Sequence, residues 1–156
     1  MDFAPTLILV TLGILLEAFF SGSEIGMVSV NRIKMKQLAE EGNSAAKSIL
    51  KLLDNPERLF TTTSLGTNLA MVASTAIFTA FMVTHFGDSG EWMAMAIISP
   101  MIFFIGEIIP KVIFQHRADS LMLLIVYPLI FFNKIFSPFT NWLSKTSAEV
   151  TSKVQL

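Results

Sequence analysis

Three long runs of hydrophobic residues divide the chain, each bounded by polar or charged positions. They cover about residues 5–30, 59–84 and 92–114, and each reaches the roughly 20 residues that an α-helix needs to cross a bilayer. Their internal polar residues are mostly Ser and Thr, which a helix tolerates in lipid because the hydroxyl bonds back to a backbone carbonyl. The pattern predicts three transmembrane helices.

Basic residues are distributed unequally between the two connections. The stretch 32–58 is rich in helix-forming residues and carries six basic side chains: Arg32, Lys34, Lys36, Lys47, Lys51 and Arg58. The stretch 85–91 carries two acidic residues and no Lys or Arg. The positive-inside rule therefore makes 32–58 a cytoplasmic helical hairpin and puts 85–91 outside. The N-terminus is then outside and the C-terminus cytoplasmic.

The segment after the third run is apolar for only about a dozen residues, Leu121–Phe132, and contains Pro128. A run of that length is short for a crossing. We expect an amphipathic helix lying along the inner membrane surface over about residues 119–143. A fourth crossing is the alternative, and it would place Lys145 and Lys153 outside.

Composition agrees with a single all-α membrane domain. Of the 156 residues, 53% are hydrophobic and only 15% are charged, which departs from soluble globular proteins in both respects. A net charge of −1 gives no basic surplus for a nucleic-acid partner. The absence of Cys excludes disulfides and thiolate metal sites.

Polar residues interrupt the first run at a depth where lipid is expected. Glu17, Ser21 and Glu24 share one helix face by their i, i+4, i+7 spacing. Ser23 joins that face only if Gly22 loosens the turn. A carboxylate inside a membrane costs at least about 2.5 kcal/mol, so such a residue normally serves a pathway or a partner. The alternative is that these side chains cap or pack helices near the inner interface.

A second polar cluster opens the second run at Ser64, Gly66, Thr67 and Asn68. Thr61, Ser64 and Asn68 fall on one stripe of a helix, and the amide oxygen of Asn68 needs a partner at that depth. Small and hydroxylated residues also let transmembrane helices approach closely. Ion ligation and helix packing are therefore both open for this cluster.

The third cluster is Gly106-Glu107-Ile108-Ile109-Pro110-Lys111. Pro110 has no N–H for the Gly106 carbonyl, so we expect a helix break there and a free backbone oxygen beside an intramembrane carboxylate. Irregular helices present oxygen ligands to cations in this way. The alternative is an ordinary proline kink with Glu107 paired to Lys111 at i, i+4.

The three clusters lie at one level. Counted at about 1.5 Å per residue from the outer end of each span, Ser21, Asn68 and Glu107 are about 24, 24 and 22 Å deep. Their ligands are all oxygen atoms, and His85 and His116 lie at other depths. Oxygen-only sites suit Mg²⁺, Ca²⁺, Mn²⁺ or Na⁺. A compact cluster favours Mg²⁺, with Na⁺ as the alternative.

These motifs resemble the transmembrane domain of the CorC and cyclin M (CNNM) magnesium transporters. The resemblance rests on Ser-Gly-Ser-Glu at 21–24, Gly-Thr-Asn-Leu at 66–69 and Gly-Glu-Ile-Ile-Pro-Lys at 106–111. It implies a homodimer with one cation per protomer, bound at Ser21, Ser23, Gly66 (through its backbone), Asn68 and Glu107. Glu24, Ser64, Thr67 and Gly106 are further candidates.

The function expected from this resemblance is Mg²⁺ export by alternating access, with Na⁺ as a candidate coupling ion. A membrane-embedded Mg²⁺ sensor or scaffold is the alternative. An enzyme is not expected, because no nucleophile–base pair occurs at the common depth. The surroundings are membrane lipid, and a bacterial inner membrane is the expected location. Family members usually continue into cytoplasmic CBS modules, which this chain lacks, so we expect an isolated membrane domain.

Overall fold

The computed structural model describes residues 2–142, a range that is helical and contains no strand. We number its helices α1 to α6: Phe3–Ser29, Arg32–Glu40, Ser44–Leu53, Pro56–Phe86, Asp88–His116 and Ala118–Ile135. Residues 137–142 form a further helical segment. Within the described range, α1, α4, α5 and α6 are long and apolar enough to cross a membrane, judged by length and composition.

Helix α1 packs between α4 and α5 at the centre of the bundle. In its outer half, the buried side chains of Val10 and Ile14 lie against Ile98 and Ile102 of α5. Many large apolar side chains of the same helices point outward and remain exposed, including Leu12, Val72 and Phe104. An apolar exterior around a satisfied helical backbone is what a lipid-facing bundle requires.

Asparagine side chains cap the N-termini of α2 and α3 in the hairpin and of α4, which follows it. Asn31 accepts hydrogen bonds from the backbone N–H groups of Ile33 and Lys34. Asn43 and Asn55 accept equivalent bonds at the starts of α3 and α4. N-terminal caps of this kind satisfy donors that a helix leaves free, and they fix where α2, α3 and α4 begin.

Helix α6 lies across the hairpin end of the bundle. Its buried face, Ala118, Met122, Val126 and Leu129, packs into a core shared with α1, α2 and α3. At its start, Asp119 accepts a hydrogen bond of 2.9 Å from the backbone N–H of Asn31 and one of 3.1 Å from Lys34 Nζ.

Residues in the middle and near the C-terminal end of α6 also form hydrogen bonds at the hairpin end of the bundle. Tyr127 Oη lies 2.8 Å from Ser44 Oγ of α3, and Thr62 Oγ1 donates a 2.8 Å hydrogen bond to Asn133. Thr62 is only about 9 Å along α4 from Pro56, by the rise of an α-helix. Both ends of α6 therefore lie near the hairpin, far from the α4–α5 turn.

Three helix limits differ from those expected. Helix α4 begins at Pro56 and includes Arg58, and the connection expected over 85–91 shortens to a turn at Gly87, whose φ of +59° favours glycine. Helix α4 continues to Phe86 because the side chains of Thr84 and His85 bond to carbonyls of the preceding turn. Helix α6 contains Pro128, as expected, but ends at Ile135, and a bend at Phe136 separates it from the helical segment 137–142. Residue 143 of the expected interfacial helix lies outside the described residues.

Candidate cation site

The polar side chains in the inner half of α1 are buried inside the bundle. Glu17, Ser21 and Ser23 are each 1% exposed or less. Ser23 Oγ donates to the Phe19 carbonyl at 2.5 Å, which satisfies its hydroxyl within the helix. Glu17 Oε2 and Ser21 Oγ are buried and have no hydrogen-bond partner among residues 2–142. Buried polar atoms are normally bonded, so these two mark a place where a ligand is expected.

Gly106 brings α5 directly against the Glu17 carboxyl group. A Cβ atom at position 106 would lie 2.7 Å from Glu17 Cδ, 2.8 Å from Oε2 and 2.9 Å from Oε1. These distances are shorter than real Cβ contacts, so only glycine allows this approach. The Gly-Glu-Ile-Ile-Pro-Lys motif of α5 and the polar face of α1 therefore meet at Gly106.

The central part of α5 is a π-helix. Residues Ile102–Ile108 form wide turns, and the Ile109 N–H bonds to the Phe104 carbonyl five residues earlier. The helix is continuous through Pro110, where a break was expected, because the wider turns upstream accommodate the missing proline N–H. A π segment inside an α-helix is often found at functional sites.

Glu107 follows Gly106 in the π segment and is half-buried. Its Oε1 accepts a 2.7 Å hydrogen bond from Lys111 Nζ, the i, i+4 pairing of the alternative interpretation. The Glu107 side chain is 42% exposed and lines a groove of about 580 Å³ together with Thr75 and Ser99. The structure therefore shows Glu107 as a partly exposed ion pair beside the α4–α5 groove.

The candidate residues of α4 lie on two faces of that helix. Asn68 is exposed and donates from its amide nitrogen to the Ser64 carbonyl at 2.9 Å. Asn68 and Ser64 line a second groove of about 400 Å³. Gly66 is buried, and the Phe20 ring covers it. Thr67 Oγ1 is buried without a hydrogen-bond partner in the described part of the chain.

The expected site residues are thus only partly assembled. Gly106 meets the buried face of α1 that carries Ser21, whereas Asn68 and Glu107 face grooves. In the range 2–142, no hydrogen bond or ion pair joins Ser21, Asn68 and Glu107. Glu24 is half-buried on the same face of α1 as Ser21.

Glu17 is the residue that the expected ligand set omitted. It is the buried carboxylate nearest to Gly106, and its i, i+4 spacing to Ser21 is visible in the sequence. The close approach of α5, which makes Glu17 part of the site, is a tertiary contact and could not be read from that spacing. No three His, Cys, Asp or Glu residues of the described chain are placed together so that they could hold a metal ion, so neutral oxygens would complete any cation site here.

The comparison with protein families matches residues 7–155 to the cyclin M transmembrane N-terminal domain. The chain belongs to the cyclin M transmembrane domain family. Relatives of this cyclin M domain include a UPF0053 protein of Haemophilus influenzae, 31% identical over 140 residues, covering 83% of this chain and 33% of the relative.

Two further relatives extend the comparison. The UPF0053 inner membrane protein YfjD of Escherichia coli is 35% identical over 98 residues, covering 63% of this chain and 23% of the relative. UPF0053 protein YhdP of Bacillus subtilis is 29% identical over 161 aligned positions, covering 94% of this chain and 36% of the relative. The cyclin M domain described here therefore spans about a third or less of the length of these curated relatives, and it is an integral membrane domain.

Proposed function

We propose that this domain transports Mg²⁺ across a bacterial inner membrane, exporting it from the cytoplasm by alternating access. The observation that carries the proposal is the contact between α1 and the π segment of α5. There, Glu17 Oε2 and Ser21 Oγ lack partners among the described residues, next to the motif that the cyclin M resemblance assigns to the cation. An irregular helix beside unpartnered buried oxygens is a common form of ion pathway.

The expected ligands can serve the ion after small rearrangements. The amide nitrogen of Asn68 is bonded to Ser64, which leaves its side-chain oxygen available as an acceptor. The Ser23 hydroxyl donates a hydrogen bond to the Phe19 carbonyl, and the lone pairs of its oxygen remain available for a cation. To bind the cation, the Glu107 carboxylate must break its ion pair with Lys111. This exchange supplies a difference between ion-free and ion-bound states, as alternating access requires.

We also propose that the domain has three spans, α1, α4 and α5, with α2 and α3 in the cytoplasm, the N-terminus outside and the C-terminus inside. The support for placing α6 at the inner surface is that it bonds along its length to Asn31 at the start of α2, to Ser44 of α3 and to Thr62 near the start of α4. The turn at Gly87 joins the other ends of α4 and α5, and the acidic residues Asp88 and Glu91 follow it in the first turn of α5.

The active form is proposed to be a homodimer in membrane lipid, with Mg²⁺ as substrate, Na⁺ as the coupling ion and no enzymatic or nucleic-acid role. Crosslinking of purified protein in nanodiscs would test the dimer. A protein that stays monomeric at all concentrations would contradict it.

Flux measurements in proteoliposomes test transport. Purified protein is reconstituted with a Mg²⁺-sensitive dye inside, a Mg²⁺ gradient is applied, and an opposing Na⁺ gradient is added or omitted. We expect dye signal to change only in vesicles that contain wild-type protein, and faster with the Na⁺ gradient. Protein that binds Mg²⁺ without flux would support a sensor or scaffold and contradict transport.

A further inference from the structure

Glu17 differs from the other acidic residues of the described chain in its degree of burial. Its side chain is 1% exposed, and Oε2 has no hydrogen-bond partner within residues 2–142. A buried carboxylate without a partner is costly. The remaining described acidic residues are half-buried or exposed, so this position needs its own explanation.

The surroundings of Glu17 are arranged around its carboxyl group. Gly106 leaves the space that the two oxygens fill, and Ser21, one helical turn along α1, directs a second unpartnered buried oxygen to the same face. Glu107 is the residue next to Gly106 in the chain, so its backbone lies beside the α5 position that contacts the Glu17 carboxyl group. No Lys or Arg forms an ion pair with Glu17 in the described part of the chain.

Two nearby carboxylates on different helices repel each other unless a cation lies between them. A divalent cation neutralises both charges, whereas a monovalent cation leaves one uncompensated in a low-dielectric interior. Mg²⁺ is also bound by one or two carboxylates and completes its shell with neutral oxygens or water. The hydroxyl of Ser21 and the backbone of the π segment are oxygens of that type.

We propose that Glu17 is a second carboxylate of the cation site, binding the ion from α1 through its unpartnered oxygen while Glu107 binds it from α5. The inference rests on the proposed function and deepens it. The pair of carboxylates gives the site its preference for a divalent over a monovalent cation.

Calorimetric Mg²⁺ titration of the purified chain tests this assignment with Glu17→Gln and a matched control. Gln keeps the size of the side chain and removes its charge. We expect Mg²⁺ affinity to fall at least about tenfold, because the variant loses a negative charge that attracts a doubly charged ion. Na⁺ affinity should fall less. Glu91→Gln makes the same chemical change at the exposed start of α5 and should leave Mg²⁺ affinity unchanged.

Thermal unfolding followed by tryptophan fluorescence separates ligation from a structural role. Without Mg²⁺, Glu17→Gln should melt above the wild type because a neutral amide of the same size replaces a buried carboxyl group that has no ion-pair partner among the described residues. With saturating Mg²⁺ the order should reverse. A variant that melts below the wild type by the same amount in both conditions would show a structural role and overturn the proposal.

The outcomes also separate this proposal from the proposed function. If wild type and Glu17→Gln bind Mg²⁺ equally while Glu107→Gln does not, the Glu17 assignment is wrong and the transport proposal stands. If the wild type binds no Mg²⁺, both proposals fail.

If Glu17→Gln does not fold, Glu17→Asp replaces it in the test. Asp keeps the negative charge but its side chain is shorter by one methylene group. That variant should bind Mg²⁺ more weakly while still preferring it to Na⁺, and wild-type affinity would overturn the proposal.

Discussion

Replacing Gly106 by Ala tests the contact between α1 and the π segment. The new Cβ would lie 2.7–2.9 Å from the Glu17 carboxyl atoms, so these atoms must move by 0.5–0.7 Å to reach the 3.4 Å of ordinary contact. Metal–ligand distances tolerate only about 0.2 Å, and Mg²⁺ demands near-ideal geometry. The displacement is therefore expected to lower Mg²⁺ affinity at least about tenfold, or about 1.4 kcal/mol.

The expected effect of Gly106→Ala on stability is smaller than its effect on binding. Overpacking costs about 1–3 kcal/mol, at the low end here because the carboxyl group ends a flexible side chain. Ala is favoured over Gly in a helix interior by up to about 1 kcal/mol, which offsets part of that cost. Net destabilisation should be below about 2 kcal/mol, so the variant should remain folded.

Calorimetry with Mg²⁺ and thermal unfolding in detergent measure both quantities. Gly13→Ala is the matched control, because the new Cβ on the outer part of α1 would overlap Ser74 Oγ of α4. It should destabilise the protein without changing Mg²⁺ affinity. A folded Gly106→Ala variant with wild-type affinity would refute the reasoning, since the ion would then bind away from Glu17.

Three further predictions concern topology, the α6 junction and the ion pair. In this Cys-free chain, a single Cys at Ser89 should react with impermeant reagent from outside and one at Ser44 should not; the reverse pattern would overturn the topology. The hydrogen bond from the Asn31 backbone N–H holds the pKa of Asp119 below its usual value, and Lys34 lowers the pKa further to a smaller extent. The stability that this gives is present above the ordinary Asp pKa of about 4 and is lost as pH falls through the lowered value. Asp119→Asn should therefore cost about 0.2–1 kcal/mol near neutral pH and flatten the acid limb of a melting profile; an unchanged profile would contradict this. Lys111→Ala should leave the protein folded and bind Mg²⁺ up to about fivefold more tightly, because a partly exposed ion pair is worth at most about 1 kcal/mol; loss of folding would instead identify Glu107 as a structural partner.

The helices were largely predictable from the hydrophobic pattern, because long apolar runs must become satisfied helices in lipid. The outer turn was not, since it depends on Thr84 and His85 bonding back to α4 and on the positive φ of Gly87. Helix α6 ends at Ile135, before the end of the helix expected over 119–143, because the chain bends at Phe136. Its place beside the hairpin depends on tertiary hydrogen bonds that no local pattern encodes.

The candidate site was predictable in its motifs and incompletely in its geometry. The Gly-Glu-Ile-Ile-Pro-Lys motif indicated an irregular helix, and α5 has a π segment there. Periodicity could not show that Asn68 is exposed or that Glu107 pairs with Lys111. It also could not rank Glu17 above Glu24, because both share the face of Ser21. The approach of Gly106 separates the two.

The most direct test of the account is Mg²⁺ calorimetry on wild-type protein and Glu107→Gln, with the fold of each checked by thermal unfolding. The side chain of Glu107 is half-exposed, and it gives the fold little beyond its ion pair with Lys111. We predict saturable Mg²⁺ binding by the wild type and none by a folded Glu107→Gln variant. Wild-type affinity in that variant would contradict the account, because the ion would then bind without the charged residue of the motif.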